Sequence, residues 1–597
     1  MKKLLLVSSC IIALNANAQN VGIGTSTPAY KLDVNGNLNI KGDSSIYISG
    51  TRVFSIKGNQ NIFSGIGSGI SNTIGSLNTA NGYQSLYSNT SGSWNTANGL
   101  SALYSNTTGI NNTANGFNAL YYNTTGNNNS ANGTNALLYN TSGSYNSANG
   151  ANSLNSNTIG NYNTANGIYA LYSNTTGNFN AANGVATLQN NINGTQNTAN
   201  GYSALYSNVA GSNATAIGAN AMYYANNTST AFTNQNVAVG FEALKGSTTP
   251  ANNTGNYNTS IGYQTLYSNT TGNWNTANGL WALQYNTTGN GNTANGVFAL
   301  QTNTTGGYNT ASGIWTLTYN TTGSNNTANG NGALQFNTTG SSNSANGYYA
   351  LCFNTTGSYN SAIGNSSLLN DSIGSYNSAI GYSSLGSNKT GTYNSALGCS
   401  ADVASNNLTN VTVVGNGASG TASNQMRFGN SSVTSIGGQV GWTTISDARV
   451  KTNIQSNVPG LNFILKLNPV TYNIDVTTLD KLLRPDCFKN TPTQEELDAK
   501  TAKSKIVYSG FIAQDVEATA KQVGYDFSGV DAPKNDKDLY GIRYAEFVVP
   551  LVKAVQELSS ENNLLKTKMA KQDDDIVLLK QELEQIKNQM SASTLNK

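Results

Sequence analysis

Small and apolar residues recur along this chain at a fixed interval. A glycine returns every 17 residues between Gly65 and Gly415, apart from two consecutive intervals of 22 that end at Gly240 and Gly262. Within a unit such as Gly99–Asn115, an Ala–Leu pair occupies positions four and five, and a second Ala lies two residues before the next glycine. Most other positions hold Asn, Thr or Ser. A constant short period of this kind predicts stacked structural repeats.

The length of the unit favours a β-solenoid over residues 61–415. Seventeen residues are too few for two helices and their turns, so we expect one coil per unit, with two short strands and two turns. Stacked coils place equivalent residues about 4.8 Å apart. Ala and Gly would then line a narrow core that Leu fills, while the recurring Asn and Thr side chains would form ladders of hydrogen bonds.

The last part of the chain has a different hydrophobic period. Apolar residues return at alternating intervals of four and three, which predicts a coiled coil over residues 551–592. Asn562 and Gln572 fall at core positions, where polar side chains cost stability but fix the register. The spacing by itself does not separate three strands from two. The seam consists of Leu551, Val555, Leu558, Asn562, Leu565, Met569, Gln572, Ile576, Leu579, Leu583, Ile586 and Met590.

Charge divides the chain at the end of the repeats. Residues 61–415 contain 5 charged side chains, whereas residues 446–597 contain 41. This shift predicts a transition segment at 416–445 and a separate domain at 446–550. The predicted fold class is therefore mainly β: a rod of β-solenoid or β-roll repeats, then a small α+β domain and the coiled coil.

Composition removes several classes of chemistry. Histidine is absent, which excludes Ser-His-Asp triads and His-ligated metals. No cofactor or metal is expected from the motifs. The net charge of +3 gives no reason to expect a nucleic-acid partner.

The first residues predict export. A basic start is followed by the apolar run Leu4–Leu14 and by small residues at Ala16 and Ala18. This pattern predicts a signal peptide over residues 1–18, and so a cell-surface or extracellular protein with no transmembrane segment after its removal. Residues 19–60 predict a β leader with two short strands around an Asn-Gly turn.

Two motifs in the charged region carry a family resemblance. The first is Ser-Asp-Ala-Arg-Val-Lys at residues 446–451, and the second is Gly-Phe-Ile-Ala-Gln-Asp-Val at residues 510–516. Together they resemble the endosialidase-type intramolecular chaperone, the self-cleaving module that ends phage tail spikes and fibres. The resemblance implies a domain that trimerises, templates the folding of the preceding fibre and then cuts the Ile445–Ser446 bond. It also implies that Ser446 and Lys451 form a Ser–Lys dyad that acts once, as a serine endopeptidase.

The chemistry of such a dyad agrees with the composition. A serine hydroxyl is a weak nucleophile until a base removes its proton. Without histidine, a lysine neutralised by desolvation is the obvious base, and Lys451 lies five residues after Ser446. Asp447 and Arg449 either support the dyad or form an ordinary surface ion pair. Gln514, in the second motif, is a further supporting candidate.

The repeats resemble the heads of trimeric autotransporter adhesins, through Asn-Thr-Ala-Asn-Gly-x-x-Ala-Leu at residues 95–103. This resemblance implies that three rods pack side by side. We therefore predict a secreted, homotrimeric, adhesin-like fibre, with surface glycans or proteins of a host as further candidate partners. Two alternatives stay open: a solenoid that binds glycans or ice, and a purely structural spacer. A polysaccharide-cleaving spike is disfavoured, because Glu242, Asp371 and Asp402 lie far apart in sequence.

Overall fold

The computed structural model describes residues 21–23, 32–34, 37, 44–483 and 494–594. They fall into two compact units, Met1–Thr254 and Gly255–Lys597. The predicted signal peptide lies outside the described residues. Within these ranges, none of the helices has the length and apolar character needed to cross a membrane.

Each coil of the repeat contributes one rung to a parallel sheet. In the coil that begins at Gly99, Thr113–Asn115 pairs in parallel with Ser130–Asn132, so equivalent residues of successive coils face each other. The three residues before the other anchor glycines form the same kind of rung. The repeats thus form a β-solenoid of about 22 turns, which confirms the predicted fold class for this region.

The prediction of two strands per coil is wrong for the regular coils. Each of them holds one three-residue strand, and the Ala–Leu segment forms turns instead. Ser101 and Leu103 adopt left-handed φ angles of 56° and 52°, which bend the chain where a strand would be extended. The segment still bonds to the next coil, because the Leu103 N–H donates to the Ala119 carbonyl at 2.9 Å. Left-handed backbone is strained for leucine, and burial of its side chain offsets that cost.

The rungs are three residues long throughout. In the first unit they are Ile62–Ser64, Thr79–Asn81, Thr96–Asn98, Thr113–Asn115, Ser130–Asn132, Ser147–Asn149, Thr164–Asn166, Ala181–Asn183, Thr198–Asn200, Thr215–Ile217 and Val237–Val239. In the second unit they are Thr259–Ile261, Thr276–Asn278, Thr293–Asn295, Thr310–Ser312, Thr327–Asn329, Ser344–Asn346, Ser361–Ile363, Ser378–Ile380, Ser395–Leu397, Thr412–Val414 and Met426–Phe428. Two-residue strands also pair, Gly211–Ser212 with Phe232–Thr233 and Asp402–Val403 with Ser419–Gly420.

The interior of the coils is narrow. Ala97, Ala102 and Leu103 are fully buried, and the equivalent residues of other coils repeat this packing. Alternate strand residues point to opposite faces, so the central Ala of each rung enters the core while its neighbours face outward. Truncating such a leucine to alanine typically costs about 2–5 kcal/mol.

Buried asparagines form two hydrogen-bond ladders inside the solenoid. In the first, Asn106 Nδ2 donates to Asn89 Oδ1 at 2.7 Å and to the Gly109 carbonyl at 3.1 Å. In the second, the backbone N–H and Nδ2 of Asn95 donate to Asn78 Oδ1 at 2.9 and 3.1 Å. The ladders satisfy buried polar groups coil after coil, and they confirm the predicted asparagine ladders.

The anchor glycines allow the coils to stack closely. Gly99 has a φ of +136°, and a Cβ atom there would lie 2.5 Å from the Gly116 carbonyl oxygen. Any side chain at this position would collide with the backbone of the next coil. The fixed glycine period therefore marks the closest approach between coils.

Two short strands are described in the N-terminal leader. Val21–Ile23 and Leu32–Val34 pair with each other in parallel. The Asn-Gly turn predicted at 35–36 lies outside the described residues.

A hairpin that the sequence analysis missed leads into the first coil. Ser45–Ile48 and Thr51–Ser55 pair antiparallel, and the two residues between them, Ser49 and Gly50, both have positive φ. Such two-residue turns match the twist of a hairpin. The second arm then pairs antiparallel with Ile62–Ser64, the first rung of the solenoid.

The first 22-residue interval does not change the register in which successive strands of the sheet pair. Val237–Val239 pairs in parallel with Thr215–Ile217, although five additional residues separate them. The other long interval includes a short 3-10 helix, Pro250–Asn252. The additional residues of the first long interval thus lie in the turns and leave the pairing of its strands in register.

The second unit ends in a small α+β region, as predicted. Its core is formed by Phe463, Val516, Ala520, Phe527 and Phe547. Its helices are α1 (Leu461–Ile464), α2 (Val476–Leu483), α3 (Gln494–Ser504), α4 (Ala513–Gln522) and α5 (Val548–Thr594), with 3-10 turns at Ala448–Val450 and Tyr544–Phe547. Two antiparallel pairs complete it, Val470–Tyr472 with Tyr508–Gly510 and Val530–Asp531 with Gly541–Ile542.

Helix α5 is continuous over 47 residues, a length of about 70 Å. Pro550 lies in its first turn, where a backbone N–H has no acceptor within the helix, so the missing N–H of proline costs no hydrogen bond. Glu557 anchors the helix to the core, since its carboxylate accepts a hydrogen bond from the Leu461 N–H at 2.7 Å. Seam residues such as Leu565 and Met590 are 57% and 66% exposed, so the single chain leaves the apolar seam of this helix uncovered.

Candidate active site

A short turn brings Ser446 and Lys451 together. Asp447 caps a 3-10 turn at Ala448–Val450 by accepting a hydrogen bond from the Arg449 N–H. The turn reverses the chain, and the Lys451 amine then donates to the Ser446 hydroxyl at 2.6 Å. The two residues that the sequence proposed as nucleophile and base are therefore in direct contact.

Asp447 and Arg449 pair with each other beside this contact. Two guanidinium nitrogens of Arg449 donate to the Asp447 carboxylate, at 3.0 and 2.6 Å. These bonds hold the pKa of the Asp447 carboxyl below its usual value and raise the pKa of Arg449. The pair is on the surface, and its carboxylate also caps the turn that positions Ser446. Asp447 and Arg449 thus form a surface ion pair whose carboxylate also caps the turn, and their support of the dyad stays a prediction.

The bond before Ser446 lies in an exposed segment without regular secondary structure. Ile445 is 84% exposed, and the apolar side chains of Val440, Trp442 and Ile454 are exposed to a similar degree. Contiguous exposed apolar residues are unusual on an isolated soluble chain and typically mark a surface that another chain covers. Both Ser446 and Lys451 are also exposed.

Gln514 does not join the Ser446–Lys451 pair. It is the second residue of α4 and faces solvent, and no hydrogen bond between described residues links it to Ser446 or Lys451. The motif at 510–516 instead builds the core of the domain. A Cβ atom on Gly510 would lie 2.1 Å from the Tyr544 hydroxyl oxygen, so the glycine allows close packing there.

Sequence reasoning missed a second group of buried charged residues in this region. Asp538 is 8% and Asp480 2% exposed, and both bond to the last coils of the solenoid. Burial raises the pKa of the Asp538 carboxyl, but hydrogen bonds from Thr421 and Gln425 outweigh burial and lower it overall. No sequence signal separates these two carboxylates from the many exposed ones around them. Among the described residues, no group of three or more acidic or cysteine side chains is placed to hold a metal ion.

Comparison with known proteins adds one finding for this region. Residues 446–525 match the family described as chaperone of endosialidase. The match begins at Ser446 and includes Lys451 and both motifs. Domains of this family are self-cleaving intramolecular chaperones, and their presence implies a tail-fibre-like trimeric protein. No curated protein matches the chain.

Proposed function

We propose that the protein is an exported homotrimeric fibre whose C-terminal chaperone directs assembly of the solenoid and then cuts the Ile445–Ser446 bond. The family match over residues 446–525 supports the chaperone role. The uncovered apolar seam of α5 supports association of several copies through a coiled coil. The solenoid forms the rod of the fibre.

One observation carries the proposal of self-cleavage. The Lys451 amine lies 2.6 Å from the Ser446 hydroxyl, and Ser446 is the first residue of the family match. In the proposed reaction, neutral Lys451 takes the hydroxyl proton while the Ser446 oxygen attacks the Ile445 carbonyl carbon. The C–N bond to Ser446 breaks, its nitrogen gains a proton, and water hydrolyses the resulting ester. The products end at Ile445 and begin at Ser446.

Assembly supplies the switch for this reaction. A lysine acts as a base only in its neutral form, which burial favours. In the single chain Lys451 is exposed, and so are the apolar residues around the scissile bond. A neighbouring chain that covered this segment would bury the amine and strengthen polar interactions at the reacting carbonyl. Cleavage would then follow association, after the chaperone region has directed folding of the solenoid.

The nucleophile is tested by substitution. Ser446→Ala removes the attacking oxygen, so we expect the full-length mature chain to persist in a soluble oligomer. Ser456→Ala is the matched control, since Ser456 is also exposed and lies ten residues further along the same segment. Denaturing electrophoresis of both variants shows whether each chain has been cut. Normal processing of Ser446→Ala would refute the assignment of the nucleophile.

A groove on the first unit favours glycan binding as a second candidate function. It has a volume of about 550 Å³ and lies beside two stacked rings, Tyr122 and Tyr139, whose centroids are 5.3 Å apart. Thr124, Thr141 and Thr158 line it at successive coils, so hydroxyl groups repeat along an aromatic edge. A glycan array probed with the fibre and with Tyr139→Ala tests this function. Equal signals from the two proteins would remove the groove as the binding site.

A further inference from the structure

The last coil of the solenoid is bonded to the chaperone region by buried side chains. The Thr421 hydroxyl donates to Asp538 Oδ1 at 2.5 Å, and Gln425 Nε2 donates to the same oxygen at 3.2 Å. Asn535 Nδ2 donates to the Thr421 carbonyl at 3.0 Å. Thr421 is 1% and Asp538 8% exposed, so water does not compete strongly for these bonds.

Gln425 connects this contact to the open end of the sheet. Its side-chain oxygen accepts hydrogen bonds from the backbone N–H groups of Thr421 and Ala422, at 3.1 and 3.0 Å. A terminal coil has no following coil to pair with, and an exposed edge of this kind invites pairing with other chains. Gln425 thus accepts hydrogen bonds from two backbone N–H groups of the last coil and donates a hydrogen bond to Asp538 in the chaperone region.

A second contact lies on helices α2 and α3. The Ser431 hydroxyl donates to the carboxylate of Asp480, which also pairs with the Lys500 amine at 2.5 Å. The Lys503 amine donates to the Val433 carbonyl at 2.6 Å. Asp480 is 2% and Lys503 8% exposed, so this contact is buried as well.

The proposed cut leaves both contacts intact. Their solenoid partners, which include Thr421, Gln425 and Ser431, all precede Ile445, whereas Asp480 and Asp538 follow Ser446. We propose that the chaperone fragment, once cut, stays bound to the last coil as a noncovalent cap held by Asp538 and Asp480. This inference rests on the proposed self-cleavage for its biological setting, and it separates the cut and the release of the chaperone into two steps.

The test does not depend on self-cleavage. A site for a sequence-specific protease is inserted between Gly437 and Gly441 of the full Ser446→Ala chain, in the exposed segment beyond both solenoid-side contacts. The folded protein is cut in native buffer and passed over a size-exclusion column. We expect the two fragments to elute together and to separate only in denaturant. Immediate separation in native buffer would overturn the inference and leave the proposed self-cleavage untouched.

Paired variants identify the residues that hold the cap. Thr421→Val removes one hydrogen bond to the buried Asp538 carboxylate. Asp538→Asn replaces that carboxylate with a neutral amide, whose NH2 cannot accept the bonds that the second oxygen accepts from Gln425 and the Lys534 N–H. We expect each variant to raise the dissociation constant of the cut fragment about tenfold or more. Asp526→Asn is the control, because Asp526 is an exposed carboxylate of the same region. Circular dichroism of the uncut chains shows that each variant is folded. If Thr421→Val and Asp538→Asn retain the fragment as tightly as Asp526→Asn, the assignment is wrong.

Discussion

One residue of the buried asparagine ladder is an aspartate. Asp371 occupies the ladder position between Asn354 and Asn388. It accepts hydrogen bonds from the Gly374 N–H at 2.8 Å and from Asn377 Nδ2 at 3.0 Å. Asn354 Oδ1, which would accept an amide proton if residue 371 were an asparagine, is buried without a hydrogen-bond partner among the described residues. A protonated Asp371 can donate this missing hydrogen bond, and an ionised one cannot.

The titration of Asp371 should therefore affect the stability of its coil. Burial raises the pKa of the carboxyl from 3.8 to about 7, despite opposing hydrogen bonds from Asn377, Gly374 and Asn388. All the groups that bond to it are neutral. Because the pKa of the folded state lies above that of the unfolded chain, stability is greatest below about pH 4, falls as the pH rises to about 7, and is level above that. The total fall is about 4 kcal/mol.

Asp371→Asn is predicted to remove this pH dependence. The amide restores the ladder, so coils around residue 371 should be more protected from hydrogen exchange than in the parent at pH 8, and nearly equal to it at pH 4. Asn325→Asp, at an exposed position, is the control that adds a carboxyl outside the ladder. Equal protection of parent and Asp371→Asn at pH 8 would contradict the buried, costly ionisation.

At this same scale, the resemblance of the motif at 446–451 to the endosialidase-type chaperone predicted the dyad, and the absence of histidine agrees with that prediction. The roles of Asp371 and Asp538 could not. Their chemistry depends on which atoms the fold places around a carboxylate, and neighbouring sequence does not record that.

At the scale of elements, the period of 17 predicted the solenoid, its core and its asparagine ladders, since a repeated position must have a repeated environment. The number of strands per coil was wrong, because the left-handed backbone of residues such as Leu103 has no signature in an apolar Ala–Leu pair. The hairpin at Ser45–Ser55 could have been recognised from the sequence. Ser49-Gly50 is a turn dipeptide between two runs of residues with high β propensity.

Neighbouring asparagines of one coil provide a matched test of the ladder. Asn191 is buried, and its Nδ2 donates to Asn174 Oδ1 at 2.8 Å and to the Gly194 carbonyl at 3.1 Å, whereas Asn193 is exposed. Asn191→Ala leaves the buried Asn174 Oδ1 without its donor and removes one of the bonds at the Gly194 carbonyl and at Asn208 Nδ2, so we expect it to cost about 2–4 kcal/mol of local stability. Asn193→Ala should cost less than about 0.5 kcal/mol. Hydrogen exchange of this coil measures both, and similar losses would argue against the ladder as a stabilising element.

At the scale of the whole molecule, a single chain leaves two apolar surfaces uncovered. The seam of α5 and the residues around the scissile bond are both apolar and exposed. The coiled coil along this helix stays a prediction from the heptad spacing, and the number of chains depends on packing between copies, which spacing alone does not determine.

Substitution in the seam tests whether association controls cleavage. Leu579→Asp places a charge in the predicted coiled-coil core, so we expect a monomeric or aggregated chain that remains uncut. Gln581→Asp adds the same charge on the exposed surface of the same helix and should assemble and be processed normally. Light scattering and denaturing electrophoresis report the two properties together. A monomeric Leu579→Asp chain that is cut normally would separate cleavage from assembly.

Ser446 is proposed to break the chain immediately before itself, and the ends of the mature fragments test this cleavage. Intact mass and amino-terminal sequencing of the mature protein should show two fragments, one that ends at Ile445 and one that begins at Ser446. Lys451→Met should abolish both fragments, while Lys466→Met, which changes an exposed lysine of the same domain, should leave them in place. A mature protein found only as the uncut chain, or cut at another bond, would contradict the account.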